Sequence, residues 1–152
     1  MCLVGLESVA LGLQQVAEVK STAVDSVLDT GYKNPAEPRL QQWWIDPSEE
    51  EESQFFVHLN DSEGHPHVLQ SPEQDGYRCF INEQGDRTEN GGIQVWIFES
   101  VGDPTNNIWR LRNFKTNFYL YLDGKAGETG IPIIALRYPP LESNVEWKVD
   151  VE

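Results

Sequence analysis

The sequence has few cysteines and no long apolar runs, and each shortage excludes a class of protein. Two cysteines in 152 residues, Cys2 and Cys79, are too few for the disulfide framework of a small secreted scaffold, so we expect free thiols. No apolar run is long enough to span a membrane. The N-terminal stretch MCLVGLESVALGLQQ lacks the basic region of a signal peptide and contains Glu7. These features predict a cytoplasmic protein that does not insert into membranes, with release by a route that needs no classical signal as the alternative.

Basic residues are also scarce, at 11 lysines and arginines against 25 aspartates and glutamates, which gives a formal net charge of -14. Such a surface repels phosphate backbones and anionic membranes, so nucleic acid is not an expected partner. The densest acidic run, DPSEEEES at 46–53, is predicted to be a solvated loop.

Signatures of catalysis and of bound cofactors are missing as well. The sequence contains no glycine-rich phosphate loop and no G-x-S-x-G nucleophile motif. His65 and His67 in HPH fall on one face of a strand, but the sequence offers no third metal ligand near them. We therefore expect neither an enzyme nor a cofactor or metal site.

A tryptophan motif is present three times, as LQQWWI at 40–45, IQVWIF at 93–98 and NVEWKV at 144–149. Trp43 and Trp96 are 53 residues apart, and Trp96 and Trp147 are 51 apart. A period near 50 is typical of internal repeats. Other positions recur at an offset of 53, so Leu69 of the second repeat is expected to match Leu122 of the third. We also expect the first two repeats to align without a gap, with Val16 matching Leu69 and Leu28 matching Ile81.

Each repeat holds about four short segments in which apolar residues alternate, separated by glycine, proline, asparagine and aspartate. The expected inward pairs include Phe56/His58, Leu120/Leu122, Ile131/Ile133 and Trp147/Val149. The pattern predicts an all-β domain over residues 1–152, with twelve strands in repeats of about 1–44, 45–97 and 98–152.

A four-stranded unit of this size cannot bury its own apolar face, but three units can close around a pseudo-threefold axis. One strand pair of each repeat would form a barrel and the other pair a hairpin cap, with the first and last strands closing the barrel. Trp43, Trp96 and Trp147 would then pack together near the axis. This arrangement is the β-trefoil.

The whole chain resembles the β-trefoil superfamily and, through its Q-x-W motifs, the ricin-B-type lectins, including small cytoplasmic lectins of fungi. The resemblance implies a non-catalytic lectin that binds glycans, galactose-type or other sugars. A sugar site of this family combines an acidic residue after the second strand, a ring in the third-strand loop, and an asparagine or glutamine before the core tryptophan. One shallow site binds weakly, so useful avidity would need several sites or a homodimer.

The third repeat matches that site best. Asp123 takes the acidic position and Gly124 follows it, Asn144 precedes Trp147, and Tyr138 is the candidate ring. The second repeat has Gln70 instead of an acid. The first has Ala17 at the acidic position, although Asp29, Tyr32 and Gln41 lie nearby in the sequence.

The alternative function is a β-trefoil protease inhibitor, because runs such as WWIDPSEEEES also resemble fungal inhibitors of that fold. An inhibitor would insert a rigid surface loop into a protease cleft. The candidate loops are 31–39, 83–92 and 136–143, with Arg39, Arg87 and Arg137 as residues that a basic-specific pocket would accept.

Overall fold

The computed structural model describes residues 2–11, 15–34, 36, 38–48, 53–124 and 130–151. The strands are β1 Cys2–Ser8, β2 Gln15–Glu18, β3 Asp29–Tyr32, β4 Trp43–Pro47, β5 Gln54–Asn60, β6 Pro66–Gln70, β7 Phe80–Glu83, β8 Trp96–Ser100, β9 Ile108–Asn113, β10 Tyr119–Leu122, β11 Ile133–Leu136 and β12 Trp147–Val151. The helical segments of the described residues are short 3-10 turns, and none could cross a membrane.

Six of the strands form a closed antiparallel barrel. Following the hydrogen-bonded neighbours around the barrel gives β1, β4, β5, β8, β9 and β12, and β12 pairs back to β1. The closing pair runs from Val4 opposite Val151 to Ser8 opposite Trp147. The predicted closure of the barrel by the first and last strands is therefore confirmed, and a closed barrel leaves no free strand edge.

The other six strands form three hairpins, β2–β3, β6–β7 and β10–β11, that cap one end of the barrel. Three buried residues bring the hairpins together in a cyclic set of backbone hydrogen bonds. Leu28 N donates to Cys79 O at 3.0 Å, Cys79 N to Ile133 O at 3.0 Å, and Ile133 N to Leu28 O at 3.2 Å. This ring marks the pseudo-threefold axis and confirms the all-β trefoil.

The three motif tryptophans belong to the core, as predicted. Trp43, Trp96 and Trp147 are fully buried in one apolar cluster. Each indole Nε1 donates to a carbonyl of the second strand of its own repeat, at 3.0 Å to Ala17, 2.9 Å to Leu69 and 3.1 Å to Leu120. The tryptophans therefore tie the barrel to the cap in all three repeats.

The expected gapless alignment of the first two repeats is wrong. The hydrogen-bond ring matches Leu28 with Cys79 instead of Ile81, and the indole acceptors match Leu69 with Ala17 instead of Val16. The expected match between the second and third repeats is wrong as well, because the indole acceptors match Leu69 with Leu120 instead of Leu122. The cause is unequal connections. The β3–β4 connection covers 33–42, the β7–β8 connection covers 84–95, and the β2–β3 connection is in turn longer than the β6–β7 connection. The differences in connection length partly cancel over a whole repeat, so the spacing of the tryptophans stays close to constant. The strands between two tryptophans are nevertheless shifted relative to the fixed offset of 53.

The same shift makes one predicted inward pair wrong. On β5 the residues in the main core are Val57 and Leu59, whereas Phe56 packs outside the barrel with Val68 and Val95. His58 is buried on that outer face too. The other three pairs, Leu120/Leu122, Ile131/Ile133 and Trp147/Val149, do pack in or against the main core.

Cys79 behaves as a small apolar residue, as expected from its inward position. It is fully buried and free, and burial raises the pKa of its thiol well above the usual range. The side chain of Cys2 and the acidic residues 49–52 lie outside the described part of the chain.

Candidate functional site

The glutamines of the Q-x-W motifs hold the loop that follows the third strand of their repeat. Gln41 Nε2 donates to Tyr32 O at 2.7 Å, and Gln41 Oε1 accepts from Asn34 N at 2.8 Å. Gln94 makes the matching bonds to Glu83 O at 2.9 Å and from Gly85 N at 2.9 Å. Both glutamines are buried, so their amide hydrogen bonds fix the start of the loop that follows the third strand.

In the first repeat this amide also contacts a carboxylate. Gln41 Nε2 lies 3.2 Å from Glu18 Oε1, and Lys20 Nζ lies 3.0 Å from Glu18 Oε2. Glu18 is the last residue of β2 and directly follows Ala17, the acceptor of the Trp43 indole. The core tryptophan thus positions the strand from which Glu18 projects.

Glu18, Lys20, Gln41 and the exposed Tyr32 line one open cavity of about 570 Å³. Gly31 also lines the cavity. Only glycine fits at this position beside the present Glu18 side chain, because a Cβ on residue 31 would lie 1.5 Å from Glu18 Oε1. Tyr32 is 59% exposed, so its ring is available to a ligand. We call this cavity the first-repeat cleft.

Glu18 and Lys20 form an ion pair in the cleft, and the carboxylate of Glu18 accepts two hydrogen bonds. The hydrogen bond to Glu18 raises the pKa of Lys20, and Lys20 remains mostly exposed. A carboxylate has about four acceptor positions, and the hydrogen bonds found here use two of those on Glu18. The Glu18 side chain is only 10% exposed, and it reaches solvent where it lines the cleft. A ligand hydroxyl would contact Glu18 through the acceptor positions that these two bonds leave unused. Asp29 pairs with Glu18 across the β2–β3 hairpin, and burial raises the pKa of Asp29.

The other repeats lack this combination. The residue after the indole acceptor is Gln70 in the second repeat and Tyr121 in the third, where the first has Glu18. Val145, which is buried, replaces the motif glutamine in the third repeat. Among the described residues, only the first repeat brings together a carboxylate, a motif glutamine and an exposed ring.

The predicted third-repeat residues are brought together in part. Asn144 Nδ2 donates to Leu122 O and Gly124 O, both at 2.8 Å, so Asn144 lies beside Gly124 and Asp123. Tyr138 follows the end of β11 that pairs with Tyr119, at the opposite end of the hairpin from Asp123. Asp123 is exposed, and it lies two residues beyond Tyr121, the position equivalent to Glu18. A sugar site at these four residues stays a prediction.

Tyr121 is the third-repeat residue at the position equivalent to Glu18. Its hydroxyl donates to Glu142 Oε1 at 2.7 Å. Burial first, and then Glu142 and the charge of Asp123, raise the pKa of Tyr121 to about 12. The phenol is therefore protonated at physiological pH and can donate to Glu142.

Two of the three arginines suggested for an inhibitor loop are engaged within the protein. Arg87 Nη2 donates to Gln54 Oε1 at 3.3 Å, and the Arg137 guanidinium lies 5.8 Å from the centre of the Phe118 ring. Arg39 lies in the exposed turn Pro38–Leu40. The inhibitor function stays a prediction.

The two histidines of HPH, His65 and His67, both lie near the carboxylate of Asp61. His67 Nε2 lies 3.5 Å and His65 Nδ1 3.6 Å from Asp61 Oδ2. These are ion-pair distances, and within the described residues no cluster of three or more such groups has the arrangement of a metal site.

No family model and no curated protein matches the sequence. Solved structures do match its fold. The designed threefold-symmetric protein ThreeFoil superposes with a TM-score of 0.78 at 16% identity, over 97% of both chains. A Polyporus squamosus lectin, solved with the epitope Neu5Aca2-6Galb1-4GlcNAc, has a TM-score of 0.70 at 15% identity.

An exo-beta-1,3-galactanase from Clostridium thermocellum has a TM-score of 0.77 at 15% identity. The present chain is covered to 97% by the lectin match and to 100% by the galactanase match, but it spans only 48% and 30% of those proteins. At these identities the likeness shows a shared fold. The chain is a β-trefoil protein similar in fold to carbohydrate-binding lectins.

Proposed function

We propose that the protein is a non-catalytic lectin and that the first-repeat cleft is its glycan site. The observation that carries the proposal is the convergence of Glu18, Gln41 and Tyr32 on one open cavity. A carboxylate can accept hydrogen bonds from two neighbouring sugar hydroxyls, and a ring can cover the apolar face of a pyranose. Lectins among the proteins of this fold support a glycan as the ligand.

A glycan array tests the proposal with three proteins. The wild type should bind a set of related glycans, and Glu18→Gln should lose at least about tenfold in affinity, because the charge that orders the hydroxyls is removed at nearly constant shape. Asp123→Asn is the matched control, since it removes an exposed carboxylate of the third repeat and should leave binding unchanged.

Two results would contradict the proposal. A wild type that binds no glycan would refute the lectin function itself. Binding that Asp123→Asn abolishes and Glu18→Gln preserves would move the site to Asp123, Gly124, Asn144 and Tyr138.

The absence of catalysis is part of the proposal and has its own check. Two carboxylates are the usual minimum for glycoside hydrolysis, and Glu18 faces Asp29 across the β2–β3 hairpin. Array ligands incubated with the protein should therefore be analysed for released sugar by mass spectrometry. We expect no release, and release that Asp29→Asn prevents would make the protein a glycosidase.

A further inference from the structure

The open end of the barrel, opposite the cap, holds an apolar cavity of about 490 Å³. Its wall comes from the barrel strands of all three repeats, and it is separate from the first-repeat cleft. The main lining side chains are Val4, Ile45, Phe55, Phe98, Trp109 and Val149. We call this cavity the barrel mouth.

The barrel mouth exists because the repeats differ at equivalent positions. Val4 pairs with Trp43, Phe55 with Trp96, and Trp109 with Trp147, so one of three equivalent positions carries a small residue. Two residues after the core tryptophans, β8 has Phe98 where β12 has Val149. The small residues leave space that aromatic residues fill elsewhere.

The wall of the barrel mouth is ordered before any ligand arrives. The Phe55 and Phe98 rings meet edge to face, with centroids 5.2 Å apart and planes at 71°. Phe98 and Trp109 repeat the geometry at 6.3 Å and 60°. Closed barrel strands hold these residues, so binding would cost little ordering of side chains.

The lining has almost no polar character. Among the described residues that line the barrel mouth, none is charged, and Ser53 and Asn107 are the polar ones. An ion would lose hydration there without a partner, and the net charge of -14 would repel an anion further. The ring of paired strands also offers no free edge or long groove for an extended peptide.

We infer that the barrel mouth binds a compact, uncharged, apolar small molecule such as an aromatic or alicyclic compound. The volume falls within the range of about 300–1,000 Å³ of small-molecule pockets, which often lie in the mouths of β-barrels. The inference is independent of glycan binding.

A matched pair of fluorescent probes tests it. N-phenyl-1-naphthylamine is uncharged, and 8-anilino-1-naphthalenesulfonate is the same ring system with a sulfonate. The uncharged probe should bind with enhanced emission and should quench tryptophan fluorescence. The sulfonate should bind at least about tenfold more weakly.

Val149→Phe should weaken binding of the uncharged probe by at least about tenfold. The substitution adds an aromatic ring on β12, at the position equivalent to Phe98 on β8, and this ring would fill part of the cavity. Ile45→Phe fills the same space from β4 and covers the case in which the first variant does not fold, as judged by near-ultraviolet circular dichroism. Leu141→Ser is the control, since Leu141 is 80% exposed and does not line the cavity. It should leave probe binding unchanged.

The inference is overturned if neither probe binds, if the sulfonate binds as tightly as the uncharged probe, or if both folded filling variants bind like the wild type. Self-association that rises with protein concentration and disappears in Val149→Phe would also overturn it, since the occupant would then be a second copy of the chain.

Discussion

Replacement of each core tryptophan by phenylalanine should destabilise the protein by nearly the same amount in the three repeats. Trp43, Trp96 and Trp147 are all fully buried, and each donates one indole hydrogen bond to a strand of the cap, at 2.9 to 3.1 Å. Phenylalanine keeps an aromatic ring but has no donor, and it leaves part of the indole volume empty.

The magnitude follows from those two losses. A buried carbonyl left without its donor costs about 1–3 kcal/mol. The missing volume is roughly 40 Å³, which at about 24 cal/mol per Å³ adds about 1 kcal/mol. Each substitution should therefore lower the free energy of unfolding by about 2–4 kcal/mol, with the three values agreeing to within about 1 kcal/mol.

Urea denaturation followed by circular dichroism measures the three changes. Trp44→Phe is the control, because Trp44 is only partly buried and lies outside the core cluster, and its effect should stay near 0.5 kcal/mol or less, roughly the size of a surface substitution. The reasoning is refuted if any core substitution costs less than about 1 kcal/mol, or if one repeat tolerates it and another does not.

Three further results are expected. Gly31→Ala places a Cβ 1.5 Å from the present position of Glu18 Oε1 and should displace that carboxylate. Glycan affinity should therefore fall at least about tenfold in a titration, while the free energy of unfolding changes by about 1 kcal/mol or less. Unchanged affinity would contradict the role of Glu18 in glycan binding. Burial lowers the pKa of His58, with Asp46 at 3.9 Å opposing it, so the unfolded chain takes up this proton more readily. Stability should therefore decline as pH falls through about 6.5, and His58→Gln should reduce that decline in urea titrations at pH 7.5 and 5.5; an equally steep decline would count against it. In a Cys2→Ser background, Cys79 should react with Ellman's reagent no faster than the protein unfolds, because burial raises the pKa of the thiol and excludes the reagent, and fast labelling in buffer would disprove this.

The fold could be predicted because the repeated tryptophans that indicate it are core residues of the barrel. The large apolar side chains of Trp43, Trp96 and Trp147 fill the same place in each repeat, so their spacing survives changes in the loops. Alternation around them predicted twelve strands, although it assigned Phe56 and His58 to the wrong face of β5.

The acidic position of the site could not be found by the same counting. Loops of different length separate the strands, so a fixed offset of 53 from Gln70 falls on Ala17, whereas the structure places Glu18 there. The alternation of apolar and polar residues along β2 could have identified Glu18 instead of Ala17. Ala17 and Val19 both belong to the core, and the polar residue between them must point away from it.

The contact between Glu18 and Gln41 could not be predicted for a different reason. Gln41 is 23 residues from Glu18 in the sequence, and their approach depends on how the β3–β4 connection folds back over the hairpin. Sequence alone placed Gln41 near Tyr32, but the residue that completes the cleft comes from another strand.

Calorimetric titration with a glycan identified on the array tests the central claim most directly, because it counts sites. Only the first repeat combines a carboxylate, a motif glutamine and an exposed ring within the described residues. We predict one glycan per chain for the wild type, the same for Asp123→Asn, and at least about tenfold weaker binding for Glu18→Gln. Two or three glycans per chain, or wild-type binding by Glu18→Gln, would contradict the account.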